Sequence, residues 1–297
     1  MLASSTGHRG ESTQMISRRG FLNLAPVVFS ANALPWGESM QSGGGKQQTA
    51  TIAPLAERYP AYAPELIEKV VTVSHFSLDK VKEIVEPHPQ LVKASWDWGF
   101  GDWESPLGAA CHMGRTDIAE YLLSKGATPS LFSAVFFGDL AVVKEMVERQ
   151  PGIERVAGPH SISLLAHARM GGKKAEEVFA YLHALADADM PVPVPLAESE
   201  TKAVVGSYQV GDDPSHLIVV SGDMHAYANT PMYTHPPQLG WKHNRTMERP
   251  LFHRGGMKFY PAGAPSIEIQ FEEKGQKAVM TVTDGGEVLT ASRSLTV

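Results

Sequence analysis

The sequence predicts a multidomain chain, an all-α array of short paired helices followed by a small antiparallel β barrel. Three observations predict it. The segments 105–127, 131–147 and 163–182 each read helix, glycine, helix, with apolar residues at helical spacing. Pro191-Val192-Pro193-Val194-Pro195 ends that pattern, and alternating proline favours an extended, fairly stiff connection. Beyond it the apolar period becomes twofold, and Asp284-Gly285-Gly286 between two alternating runs marks a β-hairpin.

The helical elements follow from local chemistry. Ser105 is placed to cap a helix, and Pro106 occupies the first turn, where a missing N–H costs nothing. Leu107, Ala110 and Cys111 share one face, and the small Ala109 and Ala110 admit a close neighbour. Gly114 ends this helix. Asp117 then lies in the first turn of the next, where a carboxylate suits the helix dipole. Ile118, Tyr121 and Leu122 form its apolar stripe, and Gly126 stops it. Gly138 follows Gly114 by 24 residues, and Gly171 follows Gly138 by 33. Upstream, 64–73 and 78–86 predict a capping helix pair, with Ser77 as N-cap of the second.

Segment 105–127 resembles the ankyrin repeat, whose pattern is T-P-L-H-x-A-A-x-x-G-x-x-x-I-V-x-x-L-L-x-x-G-A. The resemblance implies an ankyrin-repeat solenoid over 61–190 with a concave protein-binding face. Three repeats stand behind the capping pair, and the short glycine spacing implies one lost finger relative to the usual period of about 33 residues.

In the C-terminal part, Ile267, Ile269 and Phe271 alternate with Glu268, Gln270 and Glu272, which gives one buried face and one wet face. Ala278, Met280 and Val282 repeat the pattern. Earlier strands are expected around 203–210, 216–220, 224–228 and 256–260, for a total of seven or eight and a barrel or strongly curled sheet over 202–297. Val205-Gly206-Ser207-Tyr208, the strands at 217–220 and 225–228, and the close at 287–293 resemble a lipocalin-like β domain. That domain is appended to β-lactamase-like and other exported hydrolases. The resemblance implies an accessory module without catalysis of its own, and segment 230–250 departs from it as an insertion.

At the N-terminus, Ser17-Arg18-Arg19-Gly20-Phe21-Leu22-Asn23 is similar to the twin-arginine export motif. An apolar run over 22–33 follows and ends in Ala31-Asn32-Ala33, small residues of the kind a signal peptidase cleaves after. Its 12 residues are too short for a bilayer core, which needs about 20. The resemblance implies a signal peptide over 1–33, folded export and a periplasmic or released protein. Residues 34–60 read as a flexible tether, and 191–201 as a proline-rich linker.

Composition narrows the function classes. A net charge of −6 argues against a nucleic-acid partner. The lone cysteine, Cys111, excludes an intramolecular disulfide and reads as a buried structural thiol. Ser77-Leu78-Asp79-Lys80 matches S-x-x-K, but no S-D-N or K-T-G accompanies it. Gly43-Gly44-Gly45-Lys46-Gln47 lacks the spacing of a phosphate loop, and G-x-S-x-G, H-E-x-x-H and C-x-x-C are absent. His216, His225, His235, His243 and His253 cluster in sequence at spacings that match no ligand motif. The expectation is therefore no catalytic residue, no cofactor and no metal.

The candidate site is aromatic. Trp96, Trp98, Phe100 and Trp103 lie on a glycine-articulated loop just before the clearest repeat helix, where a finger would project. Aromatic anchors bury much area at low entropic cost, as a partner surface requires. The function expected is an exported, non-enzymatic binding protein whose array engages an envelope protein. The alternative is a carrier or sensor holding a small apolar ligand or a metal in the β domain.

Overall fold

Serine and aspartate side chains set where the helices begin. Ser77 accepts from the Lys80 N–H, Ser105 from Gly108, Ser130 from Ser133, Asp139 from Val142 and Ser163 from Ala166. Each bond satisfies a donor that the first helical turn leaves free. The computed structural model describes residues 58–185, 188–213, 215–222, 224, 230–244 and 246–294. The helices are α1 (Pro64–Ser74), α2 (Leu78–Val85), α3 (Pro106–His112), α4 (Thr116–Ser124), α5 (Leu131–Phe137), α6 (Leu140–Arg149), α7 (Leu164–Gly171), α8 (Glu176–Ala184) and α9 (Glu198–Val204). A two-residue hairpin, β1 (Trp96–Asp97) with β2 (Trp103–Glu104), stands between α2 and α3.

The apolar stripes meet in two helical cores. Val70, Val81, Leu91, Leu107, Ala110, Ile118 and Leu122 fill the first, while Val135, Val143, Leu164, Val178 and Leu182 fill the second. Cys111 is fully buried in the first, and burial pushes its thiol up to about 12. Gly138 has a φ of +79°, and a Cβ there would overlap the Lys174 carbonyl, so only glycine lets the end of α5 meet the turn before α8.

The C-terminal part is a small antiparallel barrel of eight strands. They are β3 (Gly206–Val210), β4 (Leu217–Ser221), β5 (Leu239–His243), β6 (Arg249–Gly255), β7 (Lys258–Pro261), β8 (Glu268–Lys274), β9 (Lys277–Asp284) and β10 (Glu287–Ser294). Each pairs with its neighbour in sequence, and β10 closes on β3, which leaves no sheet edge. The alternation read in β8 and β9 is kept, with Ile269, Phe271, Ala278, Met280 and Val282 inside. Gly285 and Gly286 turn β9 into β10, and Glu287 pairs with Asp284.

Several sequence expectations are corrected. No ankyrin solenoid is evident. The helices are short, seven to eleven residues, and the expected finger is a two-residue hairpin folded inward. The sequence leaves open whether the helices and the barrel dock, and Ile162 and Ala166 share a core with Met232, Tyr233, Phe252 and Tyr260. Helical periodicity reports an amphipathic pair, and it is blind to what covers the open face. Residues expected to begin a strand at 203 instead end α9, where the Ala197 N–H donates to the Glu200 carboxylate. Part of the 230–250 insertion is strand β5. The proline-rich segment lies against the barrel, with the Val194 N–H 3.1 Å from the His253 carbonyl oxygen. The export motif at 17–23 and the expected strand residues 225–228, including His225, lie outside the described residues. No described helix is long and apolar enough to cross a membrane.

Gly138→Ala should lower stability by more than about 1 kcal/mol in denaturant titration. Gly126→Ala is the control, since its φ is also positive, +90°, but a Cβ there meets nothing within 4 Å. Equal losses in the two variants would show that backbone conformation alone, and not the close approach to Lys174, demands glycine at 138.

Candidate metal centre

Twofold alternation on the short hairpin separates two adjacent residues completely. On β2, Trp103 is 61% exposed while Glu104 is 1% exposed. Glu104 therefore points inward, beneath the ends of α1 and α3. His75 follows the last residue of α1, and His112 is the last residue of α3. His160 arrives from the turn at Pro159–Ser161, where His160 and Ser161 both adopt left-handed backbone, with φ values of 59° and 60°. Such conformations are strained for residues other than glycine and persist only where surrounding contacts hold them. Here the His160 N–H donates to Asp102 Oδ1 at 3.0 Å, and the Tyr233 hydroxyl donates to the His160 carbonyl at 2.8 Å.

Three imidazoles surround the Glu104 carboxylate. His75 Nε2 lies 3.3 Å and His160 Nε2 3.5 Å from Oε2, and His112 Nδ1 lies 3.2 Å from Oε1. Ligand atoms of the four residues all fall within 4.8 Å of one another. Yet Glu104 Oε1, His112 Nδ1 and His160 Nε2 are buried without a hydrogen-bond partner among the described residues. Buried polar atoms are rarely left so.

The outward-facing ring nitrogens explain why. His75 Nδ1 lies 3.1 Å from the carbonyl oxygens of Val71 and Thr72, which can only accept, so Nδ1 carries the proton. His160 Nδ1 is 3.0 Å from Asp102 Oδ2 and donates to it likewise. In the neutral rings both Nε2 atoms then present lone pairs to a carboxylate that also offers lone pairs. A second proton on His160 eases that conflict at one ring in the metal-free protein, and a bound cation would resolve it for all three. Ligand atoms about 2.1 Å from one ion at tetrahedral angles stand about 3.4 Å apart, close to the three imidazole–carboxylate distances of 3.3, 3.5 and 3.2 Å. Histidines fixed through Nδ1–H by a carbonyl and a carboxylate are also the usual outer-shell arrangement of metal-binding imidazoles.

The surrounding groups complete the electrostatics. Asp102 also faces Arg249 Nη1 at 3.4 Å, and Arg249 donates to the carbonyls of Ala262 at 2.9 Å and Trp98 at 2.6 Å. Gly263 lies directly against the Asp102 carboxyl, where a Cβ would overlap it. Burial alone would push the Glu104 carboxyl up, but His112, His160 and His75 outweigh it and hold the group well below the ordinary carboxylate range. Burial pulls His112 far down, against the opposing pull of Glu104. Burial also acts to lower His160, but Asp102 and Glu104 prevail and raise it to about 9. His167, bonded through Nδ1 to the Ser163 carbonyl at 2.8 Å, is lowered by burial to about 4.

Of the aromatic candidates, Trp98 joins the centre. Its Nε1–H donates to Glu104 Oε2 at 2.8 Å, and its ring meets His75 and His160. Trp96 packs on the helical core. Phe100 lies between Trp241 and the Arg249 guanidinium, and Trp103 faces solvent. The histidines singled out by sequence go elsewhere. His216 and His243 meet each other, His253 stacks on Phe259, and His235 lines a separate groove beside it. Sequence reasoning missed His75, His112, His160 and Glu104 because 29, 8 and 48 residues separate the four in chain order, which matches no ligand motif. The available signal was Asp102 and Glu104 flanking Trp103, two carboxylates at alternate positions where β2 begins.

A cavity of about 250 Å³ adjoins the histidines. The helical side contributes His75, His112 and His160, and the barrel side contributes Met232, Tyr233 and Pro250. A cation held by the cluster would act as a Lewis acid toward whatever occupies that space.

No protein-family model and no curated protein matches the chain. The ankyrin and twin-arginine resemblances therefore find no support and are withdrawn, while the closed eight-stranded barrel is consistent with a lipocalin-like barrel in fold alone.

The metal-free protein should be most stable near pH 6.5. His160 is raised, so its contribution is complete below its ordinary value of 6.5 and is lost as pH rises through about 9. His167 is lowered, so its contribution is present above 6.5 and lost as pH falls toward about 4. Denaturant titration of chelator-treated protein should show an alkaline loss of roughly 3 kcal/mol. His160→Gln should abolish that loss, and an unchanged alkaline limb in the variant would rule out His160 as its source.

Proposed function

We propose that this is a metal-binding protein whose centre lies where the helices meet the barrel, with His75, Glu104, His112 and His160 as ligands. The observation that carries this reading is the convergence of Glu104 Oε1, His112 Nδ1 and His160 Nε2 in a buried space with no other partner among the described residues. Three imidazoles and a carboxylate suit divalent first-row ions such as Zn²⁺ or Fe²⁺, and no thiolate softens the set. Asp102 and the carbonyls of Val71 and Thr72 orient His160 and His75, and Trp98 holds Glu104. Cation binding requires His160 to give up its second proton, so binding releases a proton.

This reading replaces the expectation of a chain without metal, and it moves the metal alternative from the barrel to the junction. A protein-interaction role is a second reading, favoured by Trp103, which is large, apolar and 61% exposed.

Untagged protein should carry about one equivalent of a divalent first-row metal by elemental mass spectrometry, or take it up after chelation and dialysis. Glu104→Gln should lose it while keeping its circular dichroism. Asp102→Asn should retain the site with affinity weakened about 10- to 100-fold. A parent protein that binds no metal under either condition would sink the proposal.

A further inference from the structure

The centre carries an unbalanced charge, and the cavity beside it is shaped to supply the counter-ion. Three neutral imidazoles and Glu104 leave a divalent ion with one net positive charge. Asp102 and Arg249 cancel each other beside it. Glu248, the other carboxylate among the described residues that line the cavity, is half-buried with its Oε1 against Gly240 of β5. Buried charge is costly unless paired, so the centre calls for one further negative charge on its cavity side.

The rest of the cavity wants an apolar body. Met113, Ile162, Met232 and Tyr233 line it together with the histidines. Its volume of about 250 Å³ exceeds that of an engineered 150 Å³ cavity that takes benzene. Methionine walls adapt to an entering shape and make favourable sulfur contacts with rings. Four protein ligands complete a tetrahedral shell, but an ion that accepts five or six keeps a position for an incoming donor.

We infer that this cavity binds a small apolar carboxylate, its oxygen on the metal and its hydrocarbon body between Met113, Ile162 and Met232. The inference rests on the metal reading above and adds the ligand class of the same site. The carboxylate supplies the missing charge, and the body displaces water from apolar walls.

The test uses the full-length, untagged protein loaded with Co²⁺, whose visible spectrum reports its coordination. Benzoate should change that spectrum saturably and raise the melting temperature. Acetate, with the same headgroup and no body, should bind at least about tenfold more weakly. Benzyl alcohol, with the body and no charge, should leave the spectrum unchanged. Met113→Trp, which fills the half-buried wall, should keep one Co²⁺ and the acetate response but weaken benzoate at least about tenfold; Met113→Leu should retain benzoate. Equal affinities for benzoate and acetate, a matching response to benzyl alcohol, or bound Co²⁺ indifferent to all three would overturn the ligand assignment and leave the metal reading standing. Failure to bind Co²⁺ at all would overturn both.

Discussion

The structure depends on keeping one carboxylate charged at a place that water does not reach. Glu104 is almost wholly buried, and an isolated ionised group there would be prohibitively unstable. It is tolerated because the Trp98 indole donates to it and because His75, His112 and His160 surround it, where a proton on His160, or a cation shared with the rings, offsets the charge. Those four side chains come from the end of α1, the end of α3, a strained turn and a hairpin loop. Satisfying one charge thus orders four pieces of the helical half at once.

The same requirement ties the two halves together. His160 needs Asp102, Asp102 needs Arg249 on β6, and Arg249 reaches back to the Trp98 carbonyl. Gly263 allows the barrel loop to approach Asp102, and its N–H bonds to Ser161. The barrel therefore serves as the second wall of the centre, with Tyr233 holding the His160 turn from that side. A polar junction of this kind also explains the inward-folded hairpin, since a projecting finger would strip Glu104 of its partners.

Parts of this arrangement were readable in advance. Ser77, Ser105 and Pro106 mark helix starts because capping is a local bond between residues three apart. The alternation of Ile269 and Phe271 marks a strand with one inner face because the pleat has a period of two. The tight turn at Gly285 and Gly286 is equally local. The candidate site is legible only in its Trp98 edge, an aromatic residue on a glycine-articulated loop. The histidines drew attention in the wrong region, since His216, His235, His243 and His253 are close in sequence but disperse over the barrel.

The sequence by itself determined the local elements, the order of helices before strands, and the two-residue hairpin turn that joins the last strands. Each of these depends on interactions within a few residues, and periodicity records them directly. The tertiary structure alone decided that the helices stack against a barrel, that the barrel closes through β10 on β3, and that His75, Glu104, His112 and His160 share one space. Those outcomes depend on contacts between residues from eight to more than a hundred positions apart, from the pairs around Glu104 to Asp102 with Arg249, and no spacing rule encodes a meeting fixed by packing.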